Sequence, residues 1–139
     1  MKKIFALLLS AVVLLPACKE EIPDPAPPPT PIVIAFLSGN QTLTKGGAAK
    51  EVIIRRYGDP FEGSVTVEVV TEGLANPALP SDYVIDPMTV VFNGKINEKV
   101  ITIRAMEGDG TPGIKEFYLR LKEIPDITSD KMIKVTIRD

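Results

Sequence analysis

The chain has 139 residues, with 16 lysines and arginines against 18 aspartates and glutamates, one cysteine, no histidine and no tryptophan. Without histidine there is no Ser–His or Cys–His nucleophile and no histidine-ligated zinc centre, and with one cysteine there is no internal disulfide. A mildly acidic balance without a basic cluster speaks against nucleic acid as a partner.

The first element is a leader. Met1, Lys2 and Lys3 make a positive start, Ile4 to Leu15 is apolar except for Ser10, and Pro16 and Ala17 close the run. A basic start, a short apolar stretch and a small residue before the cut form the pattern of a secretory signal. The apolar run would reach only about 18 Å as a helix, against a hydrocarbon core of about 30 Å, so it is too short for a permanent anchor.

Leu15-Pro16-Ala17-Cys18 resembles the bacterial lipobox, although Pro16 replaces the usual small residue. The resemblance implies that Cys18 is the lipid attachment site, with cleavage before it and acyl chains holding the mature protein on a membrane. Acyl chains bury at about 0.8 kcal/mol per CH₂, so two or three of them anchor stably. Lys19-Glu20-Glu21 resembles the export signal of Bacteroidetes-type lipoproteins. That implies an outer-membrane protein, lipid-anchored and facing the cell surface.

Residues 22–31, IPDPAPPPTP, follow as a tether. Proline fixes φ and removes a backbone donor, so the tract favours extended polyproline II over a packed core. Residues 19–31 would make a semi-rigid stalk of roughly 40 Å. The chain thus divides into a leader (1–17), a lipidated Cys18 with a proline-rich linker (18–31) and one domain (32–139). Losing Lys2 and Lys3 with the leader leaves 14 basic and 18 acidic residues, a formal charge of −4. A domain without disulfides depends on a hydrophobic core.

Apolar residues in the domain alternate with period two, the pattern of half-buried strands. Seven strands are predicted: IVIAFL (32–37), KEVIIRRY (50–57), SVTVEVV (64–70), MTVVF (88–92), KVITIRA (99–105), EFYLRLK (116–122) and MIKVTIRD (132–139). Val65, Val67 and Val69 share one face, as do Ile101, Ile103 and Ala105. Phe117, Leu119 and Leu121 point inward against Tyr118, Arg120 and Lys122, and Ile133, Val135 and Ile137 against Lys134, Thr136 and Arg138. Gly46-Gly47, Gly58-Asp59-Pro60, Asn93-Gly94 and Gly108-Asp109-Gly110 mark turns between them. Short strands at this spacing predict an all-β, immunoglobulin-like antiparallel sandwich.

SDYVIDPMTVVF (81–92), NEKVITIRA (97–105), KEFYLRL (115–121) and KVTIRD (134–139) together resemble the Calx-beta domain. Asp82 and Phe92 keep that family's ten-residue spacing, and LTKGGAAKEVIIRRYGDPFEGSVTVEVVT (43–71) follows its Gly-Gly, strand, turn and strand. The resemblance spans nearly all of 32–139, though each motif is short. It implies Ca²⁺ held by loop carboxylates at one end of the sandwich, with Asp82, Glu107, Asp109 and Asp139 as candidate ligands. Ca²⁺ takes six to eight oxygen ligands. Lys45 departs from the family where an acid is common, and Lys115 stands near another expected acid. A degenerate site is therefore expected, with the two lysines neutralising part of the cluster. Each acid also has a structural reading, Asp82 as a turn cap and Asp109 as part of a Gly-rich turn.

Paired carboxylates leave glycosidase chemistry formally open, but no aromatic-lined cleft is legible and no phosphate-cradling glycine loop occurs. A non-enzymatic module is expected, with no required cofactor, binding a protein or acting in adhesion. The alternatives are a calcium-binding Calx-beta module and a glycan-binding accessory lipoprotein. The latter would stack sugar rings on aromatics, for which only Tyr57, Phe61, Tyr83 and Tyr118 are candidates.

Overall fold

The computed structural model describes residues 26–129 and 131–139, so the leader, Cys18 and Lys19-Glu20-Glu21 lie outside the described residues. Residues 26–31 are exposed and carry no regular secondary structure. Ten strands follow among the described residues: β1 Val33–Phe36, β2 Gln41–Thr44, β3 Lys50–Tyr57, β4 Gly63–Val70, β5 Tyr83–Asp86, β6 Thr89–Phe92, β7 Glu98–Ala105, β8 Lys115–Leu121, β9 Thr128–Ser129 and β10 Ile133–Arg138. They form two sheets, ordered β5-β7-β3-β1-β9 and β2-β10-β8-β4-β6. The predicted sandwich is the observed one.

The period-two pattern builds the core directly, because alternate side chains leave opposite faces of a strand. Val65 and Val67 of β4, Ile101, Ile103 and Ala105 of β7, Phe117, Leu119 and Leu121 of β8, and Ile133, Val135 and Ile137 of β10 are all buried. Val69 is only partly buried. Burying such side chains contributes roughly 1.5–3 kcal/mol each, the main drive for a domain without cross-links.

Three of the ten strands are absent from the predicted seven. β2 and β9 are short strands of mostly polar residues at sheet edges, and β5, also at an edge, begins at the Tyr83 of the Ser-Asp-Tyr motif and runs only four residues. β1 and β2 lie in different sheets. The chain crosses between them at Leu37–Asn40, and β2 then pairs in parallel with β10, Leu43 opposite Ile137.

The register defines two poles. β1 begins beside the end of β3, Val33 opposite Tyr57, so the tether joins at what we call the root pole. At the other end Lys50 faces Ile103, Tyr83 faces Ala105, Lys115 faces Ile137 and Thr44 faces Arg138. All four candidate calcium ligands belong to this second, loop pole.

Candidate functional site

Asp82 ends a short 3-10 turn, Pro80–Asp82, at the head of β5. Pro80 presets the first φ of the turn, and the Asp82 amide donates to the Leu79 carbonyl at 2.8 Å. The Leu79 amide in return donates to Asp82 Oδ2 at 2.6 Å. The Met106 amide donates to the Asp82 carbonyl at 2.8 Å and so extends the β5–β7 pairing. Only 6% of Asp82 is exposed, and it is the one buried charged residue among those described. A buried carboxylate needs a partner. Lys115, the first residue of β8, supplies it, its Nζ 2.9 Å from Asp82 Oδ1.

A second lysine closes the other side of the pole. Lys45 follows β2, its amide donating to the Arg138 carbonyl at 2.9 Å. Its ammonium is paired with Asp139 Oδ1 and donates to the Thr111 carbonyl at 2.7 Å. The Gly113 amide donates to Asp139 Oδ2 at 3.0 Å. Lys45 thus ties the chain after β2, the β7–β8 loop and Asp139 together. Between the two clamps, Asp109 Oδ1 accepts from the Thr111 amide at 2.9 Å, an Asx-type turn that shapes the loop. Glu107 lies against Gly46, whose positive φ of 64° and lack of Cβ leave room for it, since a Cβ there would sit 2.9 Å from Glu107 Cγ.

The partners of Asp82, Asp109 and Asp139 shift those three carboxyls. Burial pushes the Asp82 carboxyl up, but hydrogen bonds from Lys115 and the Leu79 amide, with the charge of Lys115, outweigh it and hold it below 3.8. The hydrogen bond to Asp82 raises the Lys115 ammonium above 10.5. The hydrogen bond from Lys45, then that from the Gly113 amide, holds Asp139 below its ordinary value. Hydrogen bonds from Thr111 do the same for Asp109.

Asp82, Glu107, Asp109 and Lys115 line one cleft of about 530 Å³, with Leu79, Ser81, Met106 and Gly108. Asp139 does not line it; it is held across the pole by Lys45. A calcium ion does not fit these residues. Two of the four carboxylates are already bound by ammonium groups, and among the described residues no three carboxylate, thiolate or imidazole groups converge to hold a metal. Lys45 Nζ takes a carboxylate and a carbonyl oxygen, the kind of donors calcium would need.

A wider cleft of about 790 Å³ lies near the root pole, lined by Glu68, Arg120, Ile127 and Met132 among others. Glu68 and Arg120 bridge there at 2.8 Å with substantial exposure. Sequence reading overlooked the framing residues of the loop pole. Asn76 binds the Ile114 carbonyl, Ile114 stands exposed next to Lys115 in the chain, and the exposed Leu79 and Met106 line the cleft. Their one visible signal is apolar residues placed outside any alternating run.

No protein-family model matches the chain, and no curated protein matches it. Solved structures do share its fold. The apo form of the Calx CBD1 domain aligns with a TM-score of 0.63 at 24% identity, over 78% of this chain and 96% of that one. The calcium binding domain CBD12 of CALX1.1 aligns with a TM-score of 0.57 at 22% identity, over 76% of this chain and 44% of that one. The E. coli chaperone DraB aligns with a TM-score of 0.55 at 17% identity, over 76% of this chain and 55% of that one.

Proposed function

We propose that the chain is a non-enzymatic lipoprotein of the outer membrane, anchored through acyl chains on Cys18. It presents a Calx-beta-like sandwich at the cell surface to a protein partner, in interaction or adhesion. The observation that carries this reading is the polarity of the sandwich. Residues 26–32 join at the root pole, so an anchor on their N-terminal side leaves the loop pole facing outward. That pole exposes Leu79 (58%), Ile114 (47%) and Met106 (37%), and Leu79 and Met106 line the cleft beside Asp82, Glu107, Asp109 and Lys115. Apolar side chains rimmed by polar groups suit a protein surface.

The calcium-binding alternative draws on one structural neighbour, named a calcium binding domain. The Lys45–Asp139 and Lys115–Asp82 pairs argue for a module that needs no metal. The glycan-binding alternative lacks a stacking platform. Phe61 and Tyr83 pack against the core, Tyr83 stacking on Phe117 at 4.4 Å between ring centroids. Tyr57 lies on β3 and Tyr118 on β8, in different sheets.

Intact-mass analysis of the mature chain tests the anchor, and protease added to intact cells tests the orientation. The proposal expects a chain beginning at Cys18 with acyl mass, and loss of the domain from intact cells. An unlipidated start at another residue, or full protection until the outer membrane is opened, contradicts it.

A further inference from the structure

Four strands end the two sheets: β5 and β9 in one, β2 and β6 in the other. An edge strand offers unpaired backbone groups to any other strand, and proteins commonly blunt such edges with charges, prolines or short length. β9 has two residues, β2 runs into Lys45, and β5 carries Asp86 and ends at Pro87. β6, four residues long like β2 and β5, carries no charge and no proline within it. Met88-Thr89-Val90-Val91-Phe92-Asn93 is uncharged and free of proline. Such a segment, rich in β-branched and aromatic residues, is a ready pairing template.

The register shows which groups are free. Val67 donates to the Met88 carbonyl at 2.8 Å, and β6 pairs β4 with Val65 opposite Val90 and Gly63 opposite Phe92. In an antiparallel ladder, backbone bonding alternates along the strand. Met88, Val90 and Phe92 therefore point their backbone groups at β4, and Thr89 and Val91 point theirs outward. Val91 is 59% exposed, while Val90 and Phe92 are buried.

We infer that β6 pairs with β6 of a second copy of this chain. The free groups are self-complementary about a two-fold axis at Val90. Thr89 of one copy meets Val91 of the other, and Val91 meets Thr89, so four backbone hydrogen bonds form and Phe92 stands opposite Met88. Such an isologous contact closes as a dimer and joins two five-stranded sheets into one of ten strands. The charges flanking the strand suit this pairing. Asp86 precedes β6 and Lys95 follows it, and an antiparallel partner sets each flank beside the other's opposite charge. One short edge buries well under the roughly 1,000 Å² of a stable interface, so the dimer is weak and concentration-dependent.

Sedimentation of the full mature chain in mild detergent, across the micromolar range, tests this. The wild type should pass from monomer to dimer, with exchange of the Thr89 and Val91 amides slowing in step. Val91→Lys should remain monomeric at every concentration, while Val84→Lys, on the outer face of β5, should dimerise as the wild type does. Val91 is exposed, so a thermal melt should show Val91→Lys as folded as the wild type. A wild type that stays monomeric overturns the inference and leaves the edge to a strand of a different protein. A dimer that survives Val91→Lys overturns it as well.

Discussion

At the root pole, Arg56 Nη1 donates to the carbonyls of Gly58 (2.8 Å) and Asp59 (2.6 Å), and the Thr30 amide donates to Asp59 Oδ2 at 2.9 Å. Gly58, at a φ of 86°, lies so close to the tether that a Cβ would sit 2.1 Å from the Pro31 carbonyl oxygen. At the loop pole, two lysines reach across the chain to Asp82 and Asp139, and one of those carboxylates is buried. Backbone fit therefore governs the end where the tether attaches, and charge governs the end that faces away from it. The consequence is separable control. Salt and pH should act more on the loop pole, where a carboxylate is buried, than on the root, whose Arg55–Glu98 and Glu68–Arg120 pairs are exposed.

Substitutions can break or sharpen this contrast. The yardstick is Leu119→Ala in β8, which lies between the poles and should cost about 2–5 kcal/mol, since Leu119 is fully buried. Tyr118→Ser beside it should cost far less in denaturant melts. The opposite ranking would invert the faces of β8. Next comes Gly58→Ala, which forces a Cβ into the left-handed region and against a backbone oxygen. A loss of about 2 kcal/mol or more is expected, with no dependence on salt. If the loss is negligible, backbone fit does not govern the root pole.

Lys115→Met should lower the melting temperature by a few degrees at neutral pH, because it leaves the Asp82 carboxylate buried without its counter-charge. Its pH profile is the sharper readout. The Asp82 carboxyl is held below 3.8 in the folded chain. Its contribution is therefore complete above the unfolded value and is lost as pH falls through the lower folded one. Lys115 is raised above 10.5, so its contribution is present below that value and is lost as pH rises through the raised one. Lys115→Met should weaken the acid-side loss and remove the Lys115 share of the alkaline one, leaving that of the Lys134–Glu116 pair. A profile unchanged from the wild type would show that the pair does not govern this pole.

The strands that carry the core were legible because burial and period coincide. β7, β8 and β10 alternate over six to eight residues, with three alternate positions in each buried. β2 was not legible, because Gln41-Thr42-Leu43-Thr44 has one apolar residue and its parallel partner β10 lies far along the chain. The clamps were half legible. Two lysines stood where acids were expected, which pointed to neutralisation. Local pattern could not say that Lys45 would meet Asp139, 94 residues away, or that Thr111 would lend its carbonyl. Those contacts depend on long-range register, which turns and periodicity do not encode.

The most direct test of the central claim is a thermal melt of the wild-type chain with millimolar calcium and then with chelator. If Lys45 and Lys115 already hold the carboxylates, calcium has no vacancy to fill, and the midpoint should move by close to nothing. A working site would stabilise by about 2.7 kcal/mol at a hundredfold excess over Kd, a shift of some ten degrees or more in a domain of about 100 residues. A shift of that size, abolished in Asp82→Asn, would contradict the account and make the loop pole a calcium site.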